Sequence, residues 1–243
     1  MRPTRRFYTW NLVGRSLVFL GLIWYVAVHP EQVWADFLAG PVRLTPLTGF
    51  WLLLMVAMVL RFFPSRWESL GCQKRFSARF KPTGRAPDPS EIRRADRGAL
   101  WVLLVWLGGN ALVLTLWRWL DIPPVYLLCL TGFYSVCDII CILFLCPFQL
   151  IWMKNRCCTT CRIYDWDYPM MCTPLVVIPC FYAWSLVALA VVLALQWEIT
   201  YRRHPERFFE SSNQALRCAA CQEQLCAYKR RLRQKNQEKR LSE

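Results

Sequence analysis

The chain reads as an all-α protein: a polytopic transmembrane helical bundle with five hydrophobic segments, a basic loop and a basic, cysteine-containing tail. Three observations predict this class. Apolar runs of about 20 residues recur along the chain, and a helix of that length crosses about 30 Å of hydrocarbon. Hydrophobic residues fill 56% of the 243 positions and charged residues only 19%. The formal charge of +14 is concentrated, with ten Lys or Arg in residues 61–97 and eleven in residues 202–240.

The apolar runs cover residues 11–28, 47–63, 99–120, 125–152 and 174–197. The first follows Arg2, Arg5 and Arg6 and ends at His29-Pro30-Glu31. No small-residue cleavage site closes it, so it reads as a retained anchor and not a signal peptide. The first two runs form a hairpin over a loop rich in Trp, Pro and acidic residues. Trp24, Tyr25, Trp34 and Trp51 suit the aromatic belts of the two interfaces. In the basic stretch that follows, Pro82, Gly84, Pro87 and Pro89 argue against one continuous helix. Pro89-Ser90-Glu91 is a cap entry for a short helix running to Arg93. A tight turn at Leu120-Asp121-Ile122-Pro123-Pro124 joins the third run to the fourth. The resulting organisation is an N-terminal hairpin (1–63), a basic cytoplasmic loop (64–98), a helical membrane core with a cysteine-rich loop (99–200) and a basic tail (201–243).

Positive residues beside membrane segments mark the cytoplasmic face. That rule puts the N-terminus and the central loop in the cytoplasm and the protein in the inner (plasma) membrane. Five complete crossings would then carry the eleven-charge tail to the far side, against the rule, so four or five full crossings are both open. The fifth run has Pro174 and Pro179 near its start and the fourth has Asp138 near its middle. Either can be a broken or re-entrant segment, which is tolerated where it is buried in protein.

Thirteen cysteines are present. Cys129, Cys137 and Cys141 share one helical row with Phe133 at four-residue steps, which is the pattern of small packing residues. Two clusters at segment ends are different. Cys157, Cys158 and Cys161 lie among Lys154, Arg156 and Arg162, cations that stabilise thiolates. Cys218, Cys221 and Cys226 form C-x2-C-x4-C, a plant-type iron–sulfur spacing in reverse that lacks its fourth cysteine. If the two clusters share one side of the membrane, the six make one site for zinc or an iron–sulfur cluster; if they lie on opposite sides, each triplet needs another ligand, with Cys146 the candidate for the first and His204 for the second. Asp165 and Asp167 either accept from Arg156 or Arg162 or join a metal shell. The bland alternative is an interfacial loop held by salt bridges, with His204 an interface residue. The paired spacing of a zinc ribbon is absent.

Asp138 is the candidate catalytic carboxylate, alongside Cys158 and Cys161, because a charge inside an apolar segment costs several kcal/mol unless paired or hydrated. Asn110 and Arg118 are its expected partners, and a protonated Asp joining helices is the structural alternative.

The strings NRCCTTCRIYDWDY (155–168) and WEITYRRHPERF (197–208), followed by C-x2-C-x4-C, resemble those of a group of uncharacterised prokaryotic integral membrane proteins. The likeness covers roughly residues 146–226. It implies a multi-pass membrane protein with a cysteine-rich C-terminal half and says nothing of substrate.

The leading expectation is therefore a membrane protein with a cysteine-ligated metal or redox site at the membrane surface, serving as a membrane redox component. One alternative is a non-catalytic accessory or scaffold. The other is a thiol–disulfide enzyme, similar in outline to quinone-coupled disulfide-forming membrane oxidoreductases, with Cys158 and Cys161 exchanging. Expected partners are membrane lipids, for which KRRLRQKNQEKR (229–240) is suited, and a cytoplasmic or membrane redox protein. Nucleic acid is disfavoured, because membrane orientation already accounts for the charge. No phosphate loop, H-E-x-x-H, G-x-S-x-G or haem-attachment motif points to another reaction.

Overall fold

A computed structural model describes residues 3–42, 44–64, 73–155, 157 and 160–217. Cys72, Arg156, Cys158, Cys218, Cys221 and Cys226 lie outside the described residues. Among the described residues, seven α-helices order the chain: α1 (Pro3–Val28), α2 (Pro30–Ala39), α3 (Pro46–Leu60), α4 (Pro89–Trp119), α5 (Tyr126–Leu143), α6 (Asp167–Cys172) and α7 (Phe181–Arg203). Among the described residues no strand forms, and a single antiparallel bridge joins Pro82 to Asn213.

Four helices are long and apolar enough to cross a membrane: α1 from Arg6 onward, α4, α5 and α7. The second apolar run yields only the 15 residues of α3. A helix of that length rises about 22 Å, short of a full hydrocarbon core. Its start is fixed by Pro46 at the first helical position and by a reciprocal cap between Thr45 and Thr48.

Prolines set the boundaries that differ from expectation. The fourth run does not continue to residue 152. Pro147 has no amide hydrogen and its ring crowds the carbonyl four residues earlier, so α5 stops at Leu143. The chain then makes a π-helical turn, Gln149–Met153. The fifth run likewise starts late. Pro174 and Pro179 break it into a 3-10 turn, Thr173–Val177, and the helix proper begins only at Phe181. Conversely, the end of the basic loop is helical and belongs to α4. Asp88 caps it by accepting from the Ser90 amide at 2.8 Å, and Pro89 follows at the first position. The Ser90 amide and hydroxyl hold the Asp88 carboxyl below its ordinary pKa.

The helices run between two ends of one bundle. At the end remote from the N-terminus, α7 begins: Tyr182 Oη lies 2.7 Å from Thr48 Oγ1, its ring packs on Phe37, and Trp51 Nε1 donates to Ser185 Oγ at 2.9 Å. Gly40, with φ of 71°, turns the chain there between α2 and α3, a conformation that suits glycine. At the N-terminal end α7 finishes, with Trp197 against Phe76 and Glu198 against Arg162. The broken stretch from α6 through the 3-10 turn carries the chain from the second end back to the first. Its Thr173 accepts from Trp106 in the middle of α4.

The described part of the basic loop, from residue 73 onward, forms a polar cap with the segment after α7. Thr83 N donates to Ser212 O at 3.0 Å and Gln214 N to Lys81 O at 2.8 Å. Asn213, fully buried, donates from Nδ2 to the carbonyls of Lys74 and Arg207.

Helix α1 packs along α5 at Gly132, where a Cβ would stand 2.9 Å from Phe19 Cδ2 and 3.4 Å from Leu22 Cδ2. Gly132→Leu should therefore wedge the two helices apart and cost about 1–3 kcal/mol. Gly108→Leu, with nothing within 4 Å, should be tolerated. Thermal unfolding of the two purified variants in detergent measures the difference; equal stability would refute the close approach.

Candidate functional site

Four arginine–carboxylate pairs gather at the N-terminal end of the bundle. Arg15 of α1 donates to Asp138 Oδ2 of α5 at 3.1 Å and to the Ser135 carbonyl at 2.9 Å. Arg61, the residue that closes α3, pairs with Asp167 at the start of α6, with Nη1 3.1 Å from Oδ1, and lies over the Tyr168 ring. Arg75, from the cap, pairs with Asp165 and donates to the Cys161 carbonyl at 2.6 Å. Arg162 makes a two-pronged contact with Glu198 of α7, with Nη1 2.7 Å from Oε1, and lies 3.6 Å from Asp96 of α4. Burial opposes the Arg162 charge, but the Glu198 pair outweighs it and raises the guanidinium pKa.

These pairs hold the cysteine-rich loop from several sides. Asp165 and Asp167 do straddle Trp166 as the sequence suggests, but their partners are Arg75 and Arg61, not Arg162. Arg162 faces Glu198 instead, together with Trp166 Nε1, which donates to Oε1 at 2.8 Å. Both aspartates are thereby committed to guanidinium groups. Asp138 also has a different partner from the two expected. Asn110 accepts from Tyr134 Oη at 3.1 Å, and Arg118 stays exposed beside Asp121. Arg15 was the missed residue. Its signal was present: it is a lone cation within the first apolar run, as Asp138 is a lone anion in the fourth, and two such charges are best buried together.

Two cavities meet at these pairs. One, of about 380 Å³, opens between α1, α3 and α5 and is lined by Asn11, Arg15, Phe50, Leu54 and Tyr168 among others. The second, of about 450 Å³, lies between α5, α4 and the cysteine-rich loop. Asp138, Arg61, Ile142 and Met171 line both. The candidate carboxylate thus stands in the wall between two chambers, neutralised by Arg15.

Of the expected metal ligands, the structure describes Cys157, Cys161, Cys146 and His204. Cys161 is buried with its carbonyl on Arg75, and Cys157 is half-buried. Cys146 meets Cys141, thiol to thiol, on the wall of the second cavity, which Cys137 and Cys161 also line. Two members of the helical row read as packing thus face a cavity, while Cys129 packs against the main core. His204 caps the end of α7 and lies 3.1 Å from Glu206. Among the described residues no three His, Cys, Asp or Glu side chains are arranged to hold one metal ion. None of the described cysteines forms a disulfide.

No known protein family, no curated protein and no solved structure matches the chain.

Arg75 and Asp165 are both fully enclosed, so truncating one strands a buried charge. Arg75→Ala should cost roughly 3–5 kcal/mol and release the cysteine-rich loop. Thermal unfolding and proteolysis of that loop report the two effects, and an unchanged melting point would show that the pair supports nothing. In the membrane region, Asp138→Ala should leave the protein inserted but destabilised, because Arg15 loses its counter-charge. The double variant Arg15→Leu, Asp138→Leu should regain most of the loss. If the single and double variants unfold alike, the pair is not coupled.

Proposed function

We propose that this protein is an integral membrane redox component with a cysteine-ligated zinc or iron–sulfur site at the membrane surface. The observation that carries the reading is the position of Arg75. Its guanidinium touches both the Cys161 carbonyl and the Phe208 ring, so the chain leading to the second cysteine cluster starts beside the first. That closeness supports a single site drawing on Cys157, Cys158, Cys161, Cys218, Cys221 and Cys226. Each triplet lacks a fourth ligand, and the other triplet supplies it. Cys146 fits such a site less well than expected, since its thiol is turned to Cys141. Arg61 holds both oxygens of Asp167 and Arg75 one oxygen of Asp165, which favours sulfur as the main ligand set of the loop.

The same arrangement supports an inner-membrane topology with the N-terminus in the cytoplasm. α7 ends where α1 begins, and the broken stretch before it supplies the return that the charge count demands. In this reading the basic loop and the tail share the cytoplasmic face, within reach of acidic lipids and of a soluble or membrane redox partner.

Protein purified without oxygen should contain zinc, or iron with acid-labile sulfide and a visible absorption band. Replacing Cys158 and Cys161 by Ser should remove it, and so should Cys218→Ser with Cys221→Ser, because hydroxyl groups are poor ligands for these centres. Partial loss from each pair would mean two separate sites. Metal content unmoved by either pair would end the metal reading. For topology, reporters fused after Ser77 and after Arg217 should both read cytoplasmic; opposite readings would overturn the proposed return.

A further inference from the structure

The second cavity has a composition that the surface cluster does not explain. Six of its lining residues carry sulfur: Cys137, Cys141, Cys146, Cys161, Met170 and Met171. Two of them touch. The break at Pro147 ends α5 at Leu143, and the chain then turns so that the Cys146 thiol reaches the Cys141 thiol one turn inside the helix. The pair is not oxidised, and neither residue belongs to a cluster recognisable by spacing.

The two carboxylates of this chamber are already paired: Asp138 is held by Arg15 and Asp167 by Arg61. The rest of the wall includes Trp106, Phe133, Ile140 and Phe148. Such a site is poor for a divalent ion wanting four ligands and two compensating charges, in keeping with the absence of any suitable trio among the described residues. It suits a soft, monovalent cation. Cu(I) selects thiolate and thioether sulfur, and a filled d shell lets it bond two sulfurs in a line without further donors. Charge also agrees: one thiol yields its proton as the Cu–S bond forms, R–SH + Cu(I) → R–S–Cu + H⁺, and the product is neutral. A neutral complex is what a chamber of low polarity tolerates.

We propose that the cavity between α4, α5 and the cysteine-rich loop binds one Cu(I) ion between the sulfurs of Cys141 and Cys146. Met170, Met171, Cys137 and Cys161 are the neighbouring sulfurs through which the ion exchanges. This site is separate from the surface cluster of the proposed function.

The test uses the full-length protein in detergent, reduced and free of oxygen, titrated with Cu(I) against bicinchoninate as competitor. One Cu(I) per chain should be retained, and Cys141→Ser with Cys146→Ser should weaken retention at least about tenfold. Cys157→Ser with Cys158→Ser, which leaves the cavity wall intact, should retain copper while losing any zinc or iron. Loss of copper from that variant would place the ion on the surface cluster and overturn the proposal. A second measurement needs no variant. In the parent protein, Cu(I) should shield Cys141 and Cys146 from alkylation, read by mass spectrometry, and leave Cys129 as reactive as before. Shielding confined to Cys157 and Cys158, or none at all, would overturn it equally.

Discussion

The buried guanidinium of Arg75 is the constraint on which the N-terminal end of this bundle depends. It is fully enclosed, with Asp165 as counter-ion, the Cys161 carbonyl as acceptor, and the rings of Tyr164 and Phe208 on either side. Three stretches far apart in sequence therefore have one meeting point: the basic loop, the cysteine-rich loop and the segment after α7. A charge so placed is costly unless every contact is kept, and removal of either partner is far worse than the pair itself. Loops that would otherwise wander are held to one arrangement. The neighbouring pairs Arg61–Asp167 and Arg162–Glu198 extend the constraint to α3, α6 and α7. Each joins the cysteine-rich loop region to a different helix, so the loop inherits the rigidity of the bundle.

Proline supplies the second constraint. Pro147 ends one apolar helix early and Pro174 with Pro179 delays the next. Between them the chain returns along the bundle in short turns, with local backbone bonds such as Ile178 N to Leu175 O, and the Thr173 hydroxyl accepts from the Trp106 indole of α4. The consequence is topological. The broken stretch lets α7 run back to the N-terminal end of the bundle, where Trp197 meets Phe76 and Glu198 meets Arg162.

Much of the helical class was legible, because apolar runs of spanning length are a strong signal. Four of five runs became helices of that length, and the cap at Thr45 and the stop at His204 follow local rules. What sequence could not assign was pairing. Arg75 reads as one of ten loop cations, and only burial distinguishes it from Arg79 or Arg85. Asp165 and Asp167 have several arginines within chemical reach, and the choice among them is made by helix packing, not by proximity in the chain. Similarly, the row of Cys129, Cys137 and Cys141 has one periodicity but two environments. Cys129 faces the core and the other two face a chamber, since the chamber exists only where Pro147 has interrupted α5.

Thiols in this protein thus occupy two different electrostatic settings. Around Cys161 the loop is bounded by the guanidinium groups of Arg75 and Arg162. Around Cys141 and Cys146 the wall is apolar and its carboxylates are already neutralised, which favours thiol and complexes of no net charge. Cys161 belongs to both, since it sits in the loop and lines the cavity. Asp138, paired with Arg15, lies in the wall of that chamber and of its neighbour. The arginine pairs that rigidify the loop therefore also set the charge conditions under which its sulfurs react.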